Sequence, residues 1–230
     1  MLEELKQAVC AANIKLAGSG LVIDTWGNVS GVDRAAGCLV IKPSGVPYDG
    51  LSPEHMVAVR LDTGQPVDTQ LRPSSDTPTH LELYRALPEL GGVVHTHSTY
   101  ATAWAQARKA IPALGTTHAD YFYGPIPCTR DLRSEEIQTA YEANTGKVIL
   151  ELLDGRDPLE CPAALVAGHG PFAWGASAEE AVHNAVLLEH LAKMAAVTHL
   201  VEPYPKPISQ ELLDKHYLRK HGPGKYYGQG

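Results

Sequence analysis

Hydrophobic positions switch between two periods along this chain. Leu2, Leu5, Val9, Ala12 and Leu16 recur at helical spacing, and Gly18-Ser19-Gly20 predicts where that helix stops. Cys38-Leu39-Val40-Ile41 is an apolar run of strand length. Met56 to Leu61 alternates as a further strand, which Asp62-Thr63-Gly64 turns into a hairpin. Between them, Ser52-Pro53-Glu54 predicts a brief helical turn with proline at its first position. Helical period returns from Thr77-Pro78, carrying Leu81, Tyr84 and Leu87, and again from Tyr100 to Ala107.

Gly91-Gly92 leads into a strand over Val93-Val94-His95-Thr96-His97, and Ala163–Val166 and Pro171–Trp174 predict two more. Ser177-x-x-Glu180 is a capping box opening a long helix that runs to about Val197. Glu202–Ile208, with three prolines, reads as a linker. Ser209–His221 is a final helix closed by Gly222 as its C-cap. Helices and strands alternate without repeats or low-complexity tracts, which places the chain in the α/β class.

At 230 residues the chain can bury a full core as one large domain or two small ones. A hydrophobic content of 44% with 20% charged residues is that of a globular protein. The formal net charge of -7 argues against a nucleic-acid surface but leaves room for a small phosphate held by local donors. Met1-Leu2-Glu3-Glu4-Leu5-Lys6 is an acidic helix start, not a basic signal segment, and no apolar run is long enough to span a bilayer. Cys10, Cys38, Cys128 and Cys161 lie far apart with no C-x-x-C pair. They read as reduced thiols of a cytoplasmic protein without a membrane partner.

The candidate chemistry starts at His95-Thr96-His97. On a strand, period-two geometry points both imidazoles to one side. Two neutral nitrogens held in that way are metal ligands, and His169 within Gly168-His169-Gly170 offers a third. Three protein histidines leave an open position for water or substrate, the arrangement of a catalytic zinc. A hydrogen-bonded histidine pair is the plainer alternative for the first two. A second group of residues suits an anion: Asn28, Ser44, Ser74 and Ser75 carry side-chain donors, Gly27 and Gly45 permit close backbone approach, and Lys42 adds positive charge. Ser74-Ser75 precedes a helix start, where free N–H groups face an anion. Singly, each is also an ordinary turn residue. Asp76, just before Thr77-Pro78, suits helix capping and metal ligation equally well.

Several motifs in order carry a resemblance: Thr25-Trp26-Gly27-Asn28-Val29-Ser30, Ile41-Lys42-Pro43-Ser44-Gly45-Val46, and Pro73-Ser74-Ser75-Asp76-Thr77-Pro78-Thr79-His80. Thr116-Thr117-His118-Ala119-Asp120-Tyr121-Phe122-Tyr123-Gly124 and the tail Leu213-Asp214-Lys215-His216-Tyr217-Leu218-Arg219-Lys220-His221-Gly222 follow. With the two histidine motifs, this set resembles the class II aldolase/adducin family, in its L-ribulose-5-phosphate 4-epimerase branch, over essentially residues 1–230. The resemblance implies one class II aldolase-like domain with a C-terminal helix and tail. Its fold would be a three-layer αβα sandwich around a mainly antiparallel sheet, assembled as a homotetramer with active sites at subunit interfaces.

The same resemblance implies a metal-dependent interconversion of L-ribulose 5-phosphate and D-xylulose 5-phosphate by retro-aldol cleavage and re-addition at C3–C4. His95, His97, His169 and Asp76 are the implied ligands, for Zn2+ or for Mn2+ or another divalent ion. Cleavage beside a ketone leaves an enediolate, whose charge a Lewis acid on the ketone oxygen stabilises. Asp120 and Tyr227 are the implied acid–base pair on the two faces of C4, with Tyr227 reaching a neighbouring subunit's site. Thr116 and His118 would orient substrate or Asp120, and His216 and Arg219 would complete the site from the last helix. Two alternatives share these residues: a class II aldolase acting as a lyase, and a non-enzymatic adducin-like interaction domain. Family aldolases of the fuculose type place a glutamate where this chain has Asp76, which disfavours the first. The intact ligands and Asp120 argue against the second. Arabinose, ascorbate and gulonate catabolism all fit such an epimerase.

Overall fold

The computed structural model describes residues 2–67 and 70–226. Its centre is a seven-stranded, wholly antiparallel sheet in the order β4-β3-β2-β1-β5-β7-β6. The strands are β1 (Asn28–Asp33), β2 (Cys38–Ile41), β3 (Val57–Arg60), β4 (Pro66–Val67), β5 (Gly92–His95), β6 (Ala163–Val166) and β7 (Gly170–Gly175). On one face lie α1 (Leu2–Gly18), α3 (Thr99–Gln106) and α6 (Ala178–Val201), around Val9, Leu16, Val29, Val94 and Leu188. On the other lie α2 (Thr77–Ala86) and α5 (Ser134–Leu153), around Tyr84, Val93, Ile149, Phe172 and Trp174. Neighbouring residues of β5 therefore feed opposite cores, as pleating requires. This is the expected αβα sandwich with an antiparallel sheet.

Burial explains why the layers hold. Phe172 and Trp174 are fully buried on the α2/α5 side, and burying a side chain of the size of Phe172 is worth about 1.5–3 kcal/mol. Trp174 keeps its polar end satisfied, since its Nε1–H donates to the Pro158 carbonyl at 2.8 Å. On the α1 side, buried Asn13 fills a gap in the ladder. Its Oδ1 accepts from the Val29 N–H at 2.9 Å and its Nδ2 donates to the Val29 carbonyl at 3.0 Å. Register past the end of β2, beside Asn28, is thus fixed by one amide.

Several boundaries differ from the sequence reading. The strand of the H-x-H motif ends at His95, so His97 stands in the turn before α3. Ser177 caps α6 by accepting from the Glu180 N–H. The Glu180 carboxylate, though, accepts from Ala176 rather than from the cap residue, so the expected box is only half formed. Gly222 ends α7 (Gln210–His221) in an extended conformation, not a left-handed one. Strand β1 and the 20-residue helix α5 have no counterpart in the hydrophobic pattern. No helix among the described residues is long and apolar enough to cross a membrane, and the four cysteines are free.

Candidate metal and phosphate site

β1 and β5 bring the first groups together. Asn28 pairs with His95 across the sheet, and both belong to the face that carries Ser30 and Val93, towards α2. The His95 ring stacks on Phe172 at 4.2 Å between centroids, and its Nδ1–H donates to the Pro171 carbonyl at 2.9 Å. That bond fixes the tautomer and leaves Nε2 bare. Nε2 of His97 lies 3.0 Å from it. His169, on the turn from β6 to β7, completes a cluster whose ligand atoms lie within 4.8 Å of one another. Two nitrogens bound to a tetrahedral zinc at its usual bond length are about 3.4 Å apart. The cluster therefore fits a small divalent ion, and the bare nitrogen of His95 facing a second imidazole has no better partner among the described residues.

Asp76 sits at the first position before α2 but makes no capping bond. Its carboxylate instead accepts from Asn28 Nδ2 at 2.6 Å. Burial pushes its pKa up, but His95, His80, His169 and the Asn28 amide outweigh that and hold it below the ordinary carboxylate value. Asp76 thus lines the same cleft as His95 and His97, tied to Asn28, and is not among the residues whose ligand atoms cluster. The Asn28 amide also donates to Ser74 Oγ at 3.1 Å, so both its N–H groups are engaged and its buried Oδ1 is without a partner. What Asn28 offers a ligand is an acceptor.

The cluster opens into a cleft of about 330 Å³ lined by His95, His97, Asp76 and the anion-suited residues Gly27, Asn28, Lys42, Ser44, Gly45, Ser74 and Ser75. Backbone bonds from Ser44 N–H to the Arg72 carbonyl and from Ser74 N–H to the Lys42 carbonyl join the two loops. Lys42 is only 1% exposed. Its ammonium donates to the Pro43 carbonyl at 3.4 Å and lies over the Tyr48 ring at 4.7 Å, and burial lowers its pKa. A cation so poorly compensated favours an anion beside it. Gly27 holds φ at +88°, and a Cβ there would stand 2.9 Å from Val22 and 3.1 Å from the His95 carbonyl, so the loop under the cleft requires glycine.

Asp120, Thr116, His216 and Arg219 form a second cluster, and they are absent from the residues lining the cleft. Thr116 opens the short helix α4 (Thr116–Ala119), whose last turn presents Asp120 to α7. The Asp120 carboxylate accepts from Arg219 Nη2 at 2.9 Å and from His216 Nδ1 at 3.0 Å, with Lys220 Nζ at 3.6 Å. Burial raises its pKa, and the bonds from His216 and Arg219 with the Lys220 charge overcome that, so the net shift is downward. His118 Nε2 donates to the Gly124 carbonyl at 2.7 Å and pins the following loop. Sequence reasoning missed Lys220 and His221, which donates to the Asp120 carbonyl at 2.9 Å; their helical spacing from His216 was the available signal. It also missed His80 beneath the cleft, whose Nδ1 meets Ser30 Oγ at 2.7 Å. Tyr227 lies outside the described residues.

Two buried histidines and a half-buried one give the metal-free protein an acid limit. Burial lowers His80 to about 3 and His169 to about 4, and lowers His95 as well. An unfolded chain protonates its histidines near ~6.5. It therefore binds protons that the folded chain refuses, and stability is complete above that pH and lost as pH falls towards 4. Each such group contributes at most about 1.4 kcal/mol per pH unit. The urea midpoint of chelator-treated protein is expected to fall from pH 7 to pH 5, and to fall less in His80→Asn. An unchanged midpoint would show that these imidazoles are not held neutral.

The class II aldolase and adducin N-terminal domain family matches residues 7–196, and the chain belongs to that family. Solved structures share its fold. An L-fuculose 1-phosphate aldolase superposes with a TM-score of 0.78 at 24% identity, over 93% of this chain and 94% of its own. The L-fuculose-1-phosphate aldolase of Thermus thermophilus gives 0.69 at 24%, over 89% and 100%. YgbL of Klebsiella pneumoniae, described as a candidate aldolase, epimerase or decarboxylase, gives 0.73 at 22%, over 94% and 98%.

Proposed function

We propose that this chain is a metal-dependent epimerase interconverting L-ribulose 5-phosphate and D-xylulose 5-phosphate. The observation that carries this reading is Asp76. An aldolase that releases its ketone must protonate the enediolate carbon, which asks for an acid reaching over the metal. Here the carboxylate that lines the cleft among the described residues is a short one, held back on Asn28 at 2.6 Å. An enediolate left unprotonated re-adds to the aldehyde, and re-addition at the other face is epimerisation.

A divalent metal on His95, His97 and His169 supplies Lewis acidity at the ketone end of the substrate, with zinc favoured by the nitrogen ligands and manganese an acceptable substitute. The remaining steps belong to the chain's own groups. Lys42, Ser44, Ser75 and the N–H groups around Gly45 hold the phosphate. Ser74 and Asn28 brace that cradle against Asp76. Asn28 Oδ1 accepts a substrate hydroxyl. Asp120, kept anionic by Arg219 and His216, takes the C4 hydroxyl proton as the C3–C4 bond breaks into dihydroxyacetone enediolate and glycolaldehyde phosphate. The aldehyde turns and the bond re-forms. Tyr227, a phenol, returns a proton to the C4 alkoxide from the opposite face. Since the Asp120 cluster does not line the cleft of its own chain, we assign the complete site to an interface in a homo-oligomer, a fourfold tetramer by resemblance.

The test is purified protein with L-ribulose 5-phosphate. D-xylulose 5-phosphate as the product supports the epimerase. Accumulating dihydroxyacetone and glycolaldehyde phosphate would establish the lyase, the reading favoured by the aldolase names of the structural neighbours. With turnover in hand, Lys42→Met is expected to raise KM about tenfold or more through loss of binding common to ground and transition states. An unchanged KM removes Lys42 from the phosphate site.

A further inference from the structure

Helix α5 is broken where it passes the histidine cluster. Ala140 has φ -134° and ψ 65°, outside the helical range, and Tyr141 follows the break. The break has identifiable props. Asn144 Nδ2 donates to the Glu136 carbonyl at 2.8 Å, and Thr145 Oγ1 donates to the Tyr141 carbonyl at 2.9 Å. Beyond it, α5 is clamped to α2, the helix that follows Asp76. Thr79 Oγ1 donates to the Glu142 carbonyl at 2.6 Å, and a Cβ on Gly146 would come within 2.7 Å of Glu82 Cβ. Side-chain insertion into a helix ladder is a recognised cause of kinks. Here it sets the direction of one residue, Tyr141, whose hydroxyl lies 3.3 Å from Nδ1 of His169.

We propose that Tyr141 is a positioning residue that orients His169 and fixes its tautomer for metal binding. The inference rests on the reading of His95, His97 and His169 as ligands. His95 has its Nδ1 engaged by the Pro171 carbonyl, leaving Nε2 for the cluster. Among the described residues no backbone carbonyl takes that role for His169, and Tyr141 Oη takes it. With the Tyr141 oxygen accepting from Nδ1–H, the lone pair of His169 sits on Nε2. Outer partners of this kind typically account for 10–100-fold in metal affinity. The turn Ala167-Gly168-His169 is short and half open, so a ring without this bond has freedom that the buried His95 lacks.

The experiment uses the full chain stripped with chelator and titrated with Zn2+ against a chromophoric competitor, and with Co2+ by visible absorption. Tyr141→Phe keeps the ring and removes the oxygen. It is expected to bind both ions about 10–100-fold more weakly, with an altered Co2+ spectrum and an unchanged melting temperature when metal-free. Binding within twofold of the parent overturns the inference and leaves the three-histidine site standing. No stoichiometric uptake by the parent overturns the ligand reading and this inference with it. Nitrogen chemical shifts of His169 in the metal-free parent give a check that needs no variant. The Nδ1–H form is expected, and a dominant Nε2–H form would overturn the role of Tyr141 even if the Phe variant failed to fold.

Discussion

His97→Asn is expected to empty the metal site and to lower turnover by at least about 10³-fold while leaving the fold intact. The loss follows from removing one nitrogen of three: an asparagine amide is shorter and a far weaker ligand than imidazole, and Lewis-acid catalysis is worth several kcal/mol, each ~1.4 of them a factor of ten. The tolerance follows from where His97 sits. Its side chain is exposed beyond the end of β5 and meets His95 Nε2 and the Trp26 ring. Exposed substitutions of this kind usually change stability by under about 0.5 kcal/mol. His95→Asn would not separate the two effects, because that ring is buried on Phe172 and bonded to Pro171. Metal content by mass spectrometry and a thermal melt decide the matter. A His97→Asn protein with a full complement of metal would end the three-histidine assignment.

Much of this arrangement can be read from the chain because hydrophobic period and ligand spacing are local properties. Helix α1, helix α6 and strand β2 carry uninterrupted patterns, and the H-x-H motif announces its own geometry. Where the pattern fails, the site is the reason. Strand β1 is hidden because its α2-facing positions, Asn28 and Ser30, are polar: one holds Asp76 and Ser74, the other meets His80 Nδ1 and Tyr84 at 2.7 and 2.8 Å. A strand with polar groups on a buried face does not alternate as a strand should. Helix α5 is hidden because its face is interrupted at Ala140 and its interior contains Thr139, Asn144, Thr145 and Gly146, three of them serving the break or the α2 contact. Natural chains break local rules at functional positions, and these two elements hold Asn28 and Tyr141. The separation of Asp120 from the cleft has no local signature, since it depends on where α4 and α7 pack.

That separation leads to the last expectation. Asp120→Asn keeps the shape of the side chain between His216 and Arg219 but removes the proposed base, and a loss of about 10²–10⁴ in turnover is expected. If the Asp120 of one chain serves the histidine cluster of its neighbour, each site draws its two halves from different chains. Mixing His97→Asn with Asp120→Asn and allowing subunits to exchange then creates sites with both halves intact. In a cyclic assembly with head-to-tail contacts and random exchange at equal amounts, about a quarter of sites are whole, and about a quarter of the parent activity returns. If Asp120 instead serves its own chain, every chain in the mixture carries one defect in its only site, and nothing returns. Native mass spectrometry confirms that hybrids have formed, so a silent mixture would rule out the shared site. Replacing Asp120→Asn by Tyr227→Phe in the same mixture identifies the chain that supplies the phenol. Recovery there as well, combined with none on mixing Asp120→Asn with Tyr227→Phe, would place both proton-transfer groups on the one neighbour.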